Sequence, residues 1–268
     1  MSGDGDRAGK AYWDSVWSDA DLPPPLQVAT PDKTNYKERR FHEELVRVFA
    51  THPVRSVIEI GCAKSRWLPH LAKHFGVTVT GLDYSEAGCA KARRLLEREG
   101  VDGEIVCSDL YSPPVRLVER FDALVSFGVA EHFDDTGACI TAFARYLRPG
   151  GVMFTSVPNL RGMNGEIQKV IDREIYDKHL PISREELRAA HERAGLVVED
   201  CGYFVALNPG ILTLGTKDSV VAHAAKRVFL AGIGRVAHLV WRLEAAVAPL
   251  PPIQLFAGFV NCVARKPG

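Results

Sequence analysis

The sequence predicts an α/β fold in which a mostly parallel sheet is doubly wound, with helices on both faces. Short strands alternate with helical segments from Ser56 onward, and this alternation is typical of a parallel sheet. Acidic residues and small-residue turns follow several of the strands directly, at the carboxyl ends where such sheets bind ligands. At 268 residues, 46% of them hydrophobic, the chain can bury one large core. We therefore expect one elaborated domain.

The charge balance, the cysteine spacing and the lack of long apolar runs argue against a nucleic-acid-binding, a disulfide-bonded or a membrane-spanning protein. Lys+Arg and Asp+Glu number 33 each, so the chain lacks the basic surplus with which proteins neutralise nucleic-acid phosphates. The six cysteines have no paired spacing, which favours buried thiols in a reducing cytosol over disulfides or a zinc site. Residues 1–10 lack the apolar core of a signal peptide, and no uncharged apolar run reaches the ~18 residues of a membrane span. We expect a cytoplasmic protein without a nucleic-acid partner.

The chain before the first strand is predicted to have two parts. Residues 1–33 are expected to form an arm over the binding site; they contain the stiff segment 23–25 and an aromatic cluster, Tyr12, Trp13 and Trp17. A helix is expected after Thr34, and its apolar face would comprise Phe41, Leu45, Val48 and Phe49.

The first strand and the turn after it carry the strongest signal for a ligand site. The strand, residues 57–60, runs into the small-residue turn 61–65, and an apolar-periodic helix follows. Such a turn sets bare backbone N–H groups and the positive end of a helix dipole against a ligand, and small residues let the backbone come close. Glu59 lies inside the strand end, and Asp83 closes the second strand, residues 77–83.

The next elements continue the alternation. Ser85 is expected to cap a helix that ends before Gly100. A third strand, residues 104–109, then ends at Asp109. Because the carboxyl ends of parallel strands meet at one edge of the sheet, we expect Asp83 and Asp109 to face the same ligand.

The second half of the core is predicted from the same signals. A fourth strand, residues 121–127, opens into Gly128, and a fifth, residues 152–157, follows a Pro-Gly-Gly turn. A capping-box pattern at Ser183 starts a helix, and a sixth strand covers residues 197–205. A long insertion, residues 206–255, precedes the closing strand.

This series resembles the class I S-adenosylmethionine-dependent methyltransferases over residues 56–205. The resemblance implies a Rossmann-like sheet of seven strands whose last strand, here around residues 256–265, is antiparallel. It divides the chain into the arm 1–33, the core 34–205, the helical insertion 206–255 and the closing strand 256–268. The insertion would be a lid or a substrate or dimer region, interrupting the last hairpin.

The resemblance also assigns roles in binding S-adenosylmethionine. The turn 61–65 would hold the methionine part, Glu59 the ammonium, Asp83 the ribose hydroxyls and Asp109 the adenine. The full set of expected cofactor contacts is Glu59, Gly61, Cys62, Ala63, Asp83, Tyr84, Asp109, Leu110, Phe127 and Gly128. Ala63 and Ser65 stand where the family usually has glycines. The alternative for both aspartates is a turn or cap residue.

A hydroxyl acceptor needs a general base that is active near neutral pH, and histidine is the natural candidate. We expect this role from His132, directly after the fourth strand, and from His179; the alternative for His132 is a structural histidine. The acceptor would be surrounded by Tyr12, Trp13, Tyr36, Glu131 and Tyr176. Glu131, His132, Asp134 and Asp135 could be imagined as a metal cluster, but such loop carboxylates more often cap the next helix. No metal is expected.

The insertion contains an apolar stripe at helical spacing, formed by Phe229, Ile233, Val236, Val240, Leu243 and Val247. We expect this stripe to pack over the active site or against a second subunit, as in a homodimer. Basic residues lie off the stripe, so the alternative is a surface within 217–250 that contacts membranes or lipid-like substrates.

The sequence therefore predicts a methyltransferase that acts on oxygen or nitrogen of a small molecule in biosynthesis and releases S-adenosylhomocysteine. A natural product, a sugar or a lipid-linked intermediate would be the acceptor. The segment after the fourth strand lacks the Asn/Asp-Pro-Pro-aromatic motif of nucleic-acid base and protein-amide methyltransferases. The alternatives are an NAD-dependent oxidoreductase, although the turn lacks the third glycine of that fingerprint, and a cofactor-binding scaffold without catalysis.

Overall fold

A computed structural model describes residues 5–18, 21–28, 35–214 and 220–268, with only the backbone at Val220. Thr34 and residues 215–219 of the insertion lie outside the described residues. The strands are, in chain order, β1 Ser56–Ile60, β2 Thr78–Asp83, β3 Gly103–Cys107, β4 Phe121–Phe127, β5 Leu147–Pro158, β6 Val197–Ala206 and β7 Ala257–Arg265. The helices are α1 Lys10–Ser18, α2 Tyr36–Thr51, α3 Trp67–Phe75, α4 Glu86–Glu99, α5 Thr136–Ala144, α6 Met163–Ile171, α7 Arg173–Asp177, α8 Arg184–Arg193 and α9 Val220–Ala246.

The strands form one seven-stranded sheet in the order β3-β2-β1-β4-β5-β7-β6. Strands β1 to β5 pair in parallel with one another, and β7 is antiparallel to both β5 and β6. This confirms the predicted fold. The order of the strands reverses between β1 and β4, and the crevice at that point is where doubly wound sheets bind ligands.

The central strands are buried on both faces, which is why they are rich in β-branched and aliphatic residues. Alternate side chains of β1 enter two separate cores: Ile58 joins the cluster around Leu124, whereas Val57 joins the cluster around Leu45 of α2. Because helices cover both faces of the sheet, a ligand can approach it at the edge formed by the carboxyl ends of the strands.

The predicted caps are present. Ser85 Oγ accepts a hydrogen bond from the Gly88 amide at 3.0 Å, and Ser183 and Glu186 form a capping box. Two strand boundaries were wrong. β5 begins at Leu147 rather than at residue 152, so the Pro-Gly-Gly segment lies within the strand. β3 ends at Cys107, so Asp109 lies in the following loop. The reason is local, since the Asp109 carboxylate accepts a hydrogen bond from the Tyr111 amide at 2.9 Å, and this Asx turn bends the chain out of the sheet.

The insertion joins β6 to β7 as predicted, but the apolar stripe expected on its helix does not pack over the active site; packing against a second subunit or a membrane stays a prediction. Ala237, Trp241 and Glu244 are the buried residues of α9, whereas Leu243 and Val247 of the predicted stripe are 58% and 86% exposed. The Trp241 indole donates to the Ala206 carbonyl at 3.0 Å and its ring stacks on Tyr36 at 5.4 Å. A large aromatic side chain with a satisfied N–H thus determines which side of α9 is buried. Among the described helices, none is both long and apolar enough to span a membrane.

Candidate active site

A first cavity opens at the carboxyl ends of β1 to β4 and encloses, with its mouth, about 700 Å³ of empty space. Six of the ten predicted cofactor residues line it: Gly61, Asp83, Tyr84, Asp109, Leu110 and Gly128. These residues come from four different strand ends. They converge because the strands are parallel, so the residues at their carboxyl ends all lie at the same edge of the sheet.

Asp83 is an acid of this cavity that two backbone amides hold in place. It is buried, and its two carboxylate oxygens accept backbone hydrogen bonds from Ser85 at 2.9 Å and from Ala63 at 3.1 Å. Burial raises the pKa of its carboxyl, and these backbone donors counteract the rise. The carboxylate is therefore fixed in position, with lone pairs left to accept hydrogen bonds from ligand hydroxyls.

The turn after β1 requires glycine at its first position, as expected for a close approach to a ligand, but its first N–H groups are already hydrogen-bonded within the protein. Gly61 has φ +77°, and a Cβ there would lie 2.4 Å from Val129 Cγ2, so only glycine fits. The N–H groups of Gly61 and Cys62 both donate to the Leu82 carbonyl, at 2.8 and 3.3 Å. Because the Ala63 N–H is also used, by Asp83, the expectation of bare N–H groups is wrong for these three residues. Cys62 and Ala63 are buried and do not line the cavity.

Glu59 lies buried beneath the turn and does not line either cavity described here. Its Oε2 atom has no hydrogen-bond partner among the described residues. Burial raises the pKa of this carboxyl to about 8. The side chain of Ser65 hydrogen-bonds the same carboxyl. Because Glu59 lines neither cavity, its expected contact with a ligand ammonium stays a prediction.

The N-terminal arm covers the first cavity. Asp6 bridges to Phe133 and hydrogen-bonds the Tyr84 hydroxyl. Trp13 and Trp17 of α1 stack at 5.7 Å and both line this cavity. Trp13, expected beside the acceptor, therefore lies beside the cofactor site, and sequence reasoning missed Asp6 and Trp17 as lining residues. The aromatic cluster gave a sequence signal for Trp17, but no pattern pointed to Asp6.

A second cavity adjoins the first at Gly128, which lines both. It encloses, with its mouth, about 780 Å³ of empty space. Four of its thirteen lining residues are Phe or Trp, and of these Trp67 stacks on Phe127 at 5.0 Å. Its polar rim includes Glu38 and Arg66, which form an ion pair at 2.9 Å. None of these four residues (Trp67, Phe127, Glu38 and Arg66) was predicted to contact the acceptor.

Glu131, His132 and His179 meet where the two cavities join. His132 lines the first cavity, and Glu131 and His179 line the second. His132 Nδ1 lies 3.0 Å from the Lys178 carbonyl and His179 Nδ1 lies 2.7 Å from the Ile175 carbonyl. Since a carbonyl only accepts, each Nδ1 carries the proton and each Nε2 keeps a free lone pair. All three are among the site residues predicted from the sequence.

Burial sets the charge of this group. It lowers the pKa of His132 to about 4, with a further contribution from His179, and it lowers the pKa of His179. It raises the pKa of Glu131 to about 8, and Glu131 Oε2 has no partner among the described residues. At neutral pH both imidazoles are therefore neutral and can accept a proton.

The group also has the composition of a metal site. Among the described residues, Glu131, His132 and His179 each place one ligand atom within 4.8 Å of the others. Asp134 and Asp135 do not join them. Asp134 pairs with Arg7 at 2.5 Å, and Asp135 caps α5 by accepting from the Ala138 amide at 3.0 Å.

Three predicted acceptor contacts lie elsewhere. The ring of Tyr12 faces Lys178 Nζ at 5.0 Å, and the ring of Tyr176 faces Lys169 Nζ at 4.9 Å. Tyr36 is buried against Trp241. None of the three tyrosines lines either cavity. Phe127, expected near the cofactor, lines the second cavity.

Known proteins share this architecture. A family model described as a methyltransferase domain matches residues 34–200. A ubiquinone biosynthesis O-methyltransferase from Pseudomonas entomophila is 31% identical over 155 residues, covering 54% of this chain and 66% of that relative, just under two thirds of its length. Another from Dinoroseobacter shibae is 28% identical over 184 residues, covering 64% and 73%.

A solved structure agrees on the fold. Geranyl diphosphate C-methyltransferase from Streptomyces coelicolor A3(2) has a TM-score of 0.58 and 16% identity, over 96% of this chain and 97% of that one. The family match overturns the alternative of an NAD-dependent oxidoreductase. The strand order, the strand-end acids and the family match over more than half of the chain agree, and the protein belongs to the class I S-adenosylmethionine-dependent methyltransferases.

Proposed function

We propose that the protein transfers the methyl group of S-adenosylmethionine to an oxygen atom of a small, largely apolar molecule held in the second cavity. The observation that carries this proposal is the junction of the two cavities at Gly128, beside Glu131 and His179. The relatives named as ubiquinone biosynthesis O-methyltransferases support an oxygen acceptor.

The first cavity would hold the cofactor. Asp83 would accept from the ribose hydroxyls, Asp109 would face the adenine, and Glu59 would balance the ammonium beneath the Gly61 turn. When bound, S-adenosylmethionine supplies a methyl group that is already activated by the sulfonium. The residues of the chain need only align the acceptor with it, and alignment of this kind lowers a barrier by about 7–11 kcal/mol.

His179 would act as the general base. It lines the second cavity, and its Nε2 lone pair is free because Nδ1–H donates to the Ile175 carbonyl. His132 packs against it at 4.5 Å between ring centroids and would hold its orientation. Glu131 Oε1 lies 3.8 Å from His132 Nε2, and its unpaired Oε2 would bind the acceptor hydroxyl. The acceptor proton would pass to His179 Nε2 as the oxygen attacks.

The walls of the second cavity suit an acceptor with an apolar or aromatic body. Phe41 contacts Trp67, Phe127 and Phe259 edge to face at 5.0 to 6.1 Å. Aromatic walls of this kind favour flat or chain-like apolar groups. Phenolic or otherwise hydroxylated apolar molecules are therefore the proposed acceptors.

The experiment is methyl transfer from labelled S-adenosylmethionine to matched acceptors: hydroxylated benzenes with and without an alkyl chain, and the corresponding anilines. We expect transfer to the hydroxyl compounds, and a lower KM for those that carry the chain. Transfer to the anilines alone would refute oxygen methylation. Binding of S-adenosylhomocysteine with no transfer to any acceptor would favour the non-catalytic scaffold.

The role of the base is tested separately with His179→Gln. We expect kcat to fall by 10²–10⁴-fold, the range of a lost general base, with little change in S-adenosylhomocysteine affinity. Because burial lowers the pKa of His179, wild-type kcat should hold to a lower pH than a base with an ordinary imidazole pKa would allow, and the variant should lose the acid limb of the profile. His52→Gln is the control, since His52 hydrogen-bonds Glu199 and lines neither cavity. An unchanged kcat for His179→Gln would show that His179 is not the general base.

A further inference from the structure

An apolar surface on the outer side of α9 is left uncovered by the rest of the described chain. We define the outer face of α9 by six side chains that are 56% to 86% exposed: Val221, Val228, Val236, Leu239, Leu243 and Val247. Elsewhere before this helix, the exposed large hydrophobic residues among the described residues are five valines scattered over the chain. Single exposed valines are ordinary, whereas a continuous apolar face indicates a partner.

The six residues lie on one side of the helix. Their spacings of seven, eight, three, four and four residues keep them within one stripe of a 3.6-residue period. The opposite side is the one that packs on the protein, through Ala237 and Trp241. The outer face therefore points away from the core, and folding of the described chain does not bury it.

The charges beside this face are all positive. Arg227, Arg235 and Arg242 are exposed on α9. Glu244 is the sole acidic residue of the stretch 220–256; it is buried, and it accepts a hydrogen bond from the Leu250 amide at 2.9 Å. An apolar stripe flanked by cations, without an exposed acid, matches a partner that is both apolar and anionic.

We propose that the outer face of α9 binds the surface of membranes that contain anionic lipid. The helix would lie in the interface, with Leu239 and Leu243 among the acyl chains and Arg235 and Arg242 against the phosphates. A second copy of the chain is a poorer fit. A twofold dimer through this face would bring two cationic surfaces together without an acidic residue between them.

Binding of α9 to a membrane would also help an apolar acceptor to reach the second cavity; this step of the argument rests on the proposed function. The inner side of α9, at His238 and Trp241, lines a cleft together with Lys37 and Glu38. The same two residues, Lys37 and Glu38, form part of the rim of the second cavity. A membrane-bound α9 would thus hold the mouth of that cavity close to the lipid, where apolar acceptors are dissolved.

The test is co-sedimentation of the full chain with vesicles of phosphatidylcholine alone and of phosphatidylcholine with one quarter phosphatidylglycerol, without cofactor or acceptor. We expect binding to the anionic vesicles and a marked loss of binding when salt is raised from 50 to 300 mM. Arg235→Glu with Arg242→Glu should weaken the partition by about thirty-fold or more, since each cation near an anionic surface contributes roughly a factor of five. Equal binding to both vesicle types, or binding to neither, overturns the proposal.

The apolar contact has its own matched pair of variants. Leu239→Glu with Leu243→Glu should reduce vesicle binding at least ten-fold. Val115→Glu with Val197→Glu, exposed valines outside α9, should leave it unchanged. Calorimetry with S-adenosylhomocysteine verifies that each variant keeps its cofactor site. If the leucine variants instead dissociate a dimer seen in sedimentation velocity, and the wild type ignores vesicles, the partner is a second copy and the proposal is wrong. Failure of methyl transfer would not affect this result.

Discussion

The buried carboxyl of Glu59 should make the protein less stable as the pH rises, and Glu59→Gln should remove that dependence. The Glu59 pKa is 4.5 for the exposed group and about 8 in the folded chain, because burial disfavours the charged form. The folded state therefore binds one proton more than the unfolded state between these two values. Since the unfolded state binds fewer protons there, the free energy of unfolding falls as the pH rises through that window.

The magnitude follows from the gap between the two pKa values. One pKa unit corresponds to about 1.36 kcal/mol, so a gap of about 3.5 units is worth about 5 kcal/mol at pH 9 and about 3 kcal/mol at pH 7. The side-chain amide of the Glu59→Gln variant introduces its own buried donors, which cost a constant amount. The amide cost does not change with pH. The pH dependence of the difference in free energy of unfolding between variant and wild type therefore reports the Glu59 carboxyl alone.

The assay is urea unfolding of both proteins without cofactor at pH 5, 6, 7, 8 and 9. We expect the free energy of unfolding of Glu59→Gln, minus that of the wild type, to increase by roughly 1 kcal/mol per pH unit up to pH 8 and then to level off. Glu97→Gln, on the exposed side of α4, is the control and should show no trend. A difference that stays constant from pH 5 to pH 9 would refute the raised pKa of Glu59.

Three further variants test the cofactor site and the insertion. Gly61→Ala should lower the free energy of unfolding by about 2 kcal/mol in urea titrations, because alanine resists φ +77° and its Cβ would meet Val129; unchanged stability would contradict the geometry of the turn. Asp83→Asn should weaken S-adenosylhomocysteine binding by about 10- to 100-fold in calorimetry, the value of a lost charge-assisted hydrogen bond; unchanged affinity in a folded variant would exclude the ribose role. Trp241→Ala should cost about 3–5 kcal/mol and speed proteolysis of α9, since it removes the ring stack and the donor to Ala206; resistance equal to wild type would show that α9 is held by other contacts.

The parts of the site that could be predicted are those that one strand and its turn determine locally. Asp83 and Asp109 are each recognisable as an acid after an apolar strand, and parallel pairing brings such residues to one edge. The same logic placed Gly128 and His132 after β4. It could not show that the N–H groups of the Gly61 turn are already bonded, because their acceptors lie on a neighbouring strand.

The missed residues depend on contacts between distant parts of the chain. Asp6 is held at the first cavity by its neighbour Arg7, which contacts Asp134 and the Asp177 carbonyl more than 120 residues away. The helix of Trp17 is held by Asp14, which accepts a hydrogen bond from the Ser85 hydroxyl at 2.6 Å. No local pattern encodes such a contact. The outer and inner sides of α9 are a similar case: periodicity shows that a stripe exists, but the docking of Trp241 decides which side is buried.

Two of the three described buried glutamates that keep one oxygen without a hydrogen-bond partner, Glu59 and Glu131, suggest how binding and stability are linked in this fold. Both are buried, both keep an oxygen without a partner among the described residues, and burial raises both pKa values to about 8. An unpaired buried polar group costs roughly 1–3 kcal/mol, so neither oxygen contributes to folding. They lie at the end of β1 and just after β4, the two strands between which the sheet order reverses. Glu131 lines the second cavity, so a ligand hydroxyl there would complete its hydrogen-bond set, and occupancy of that cavity should stabilise the fold. Glu59 lines neither cavity, so it gains the same partner only from a ligand ammonium that reaches it beneath the Gly61 turn.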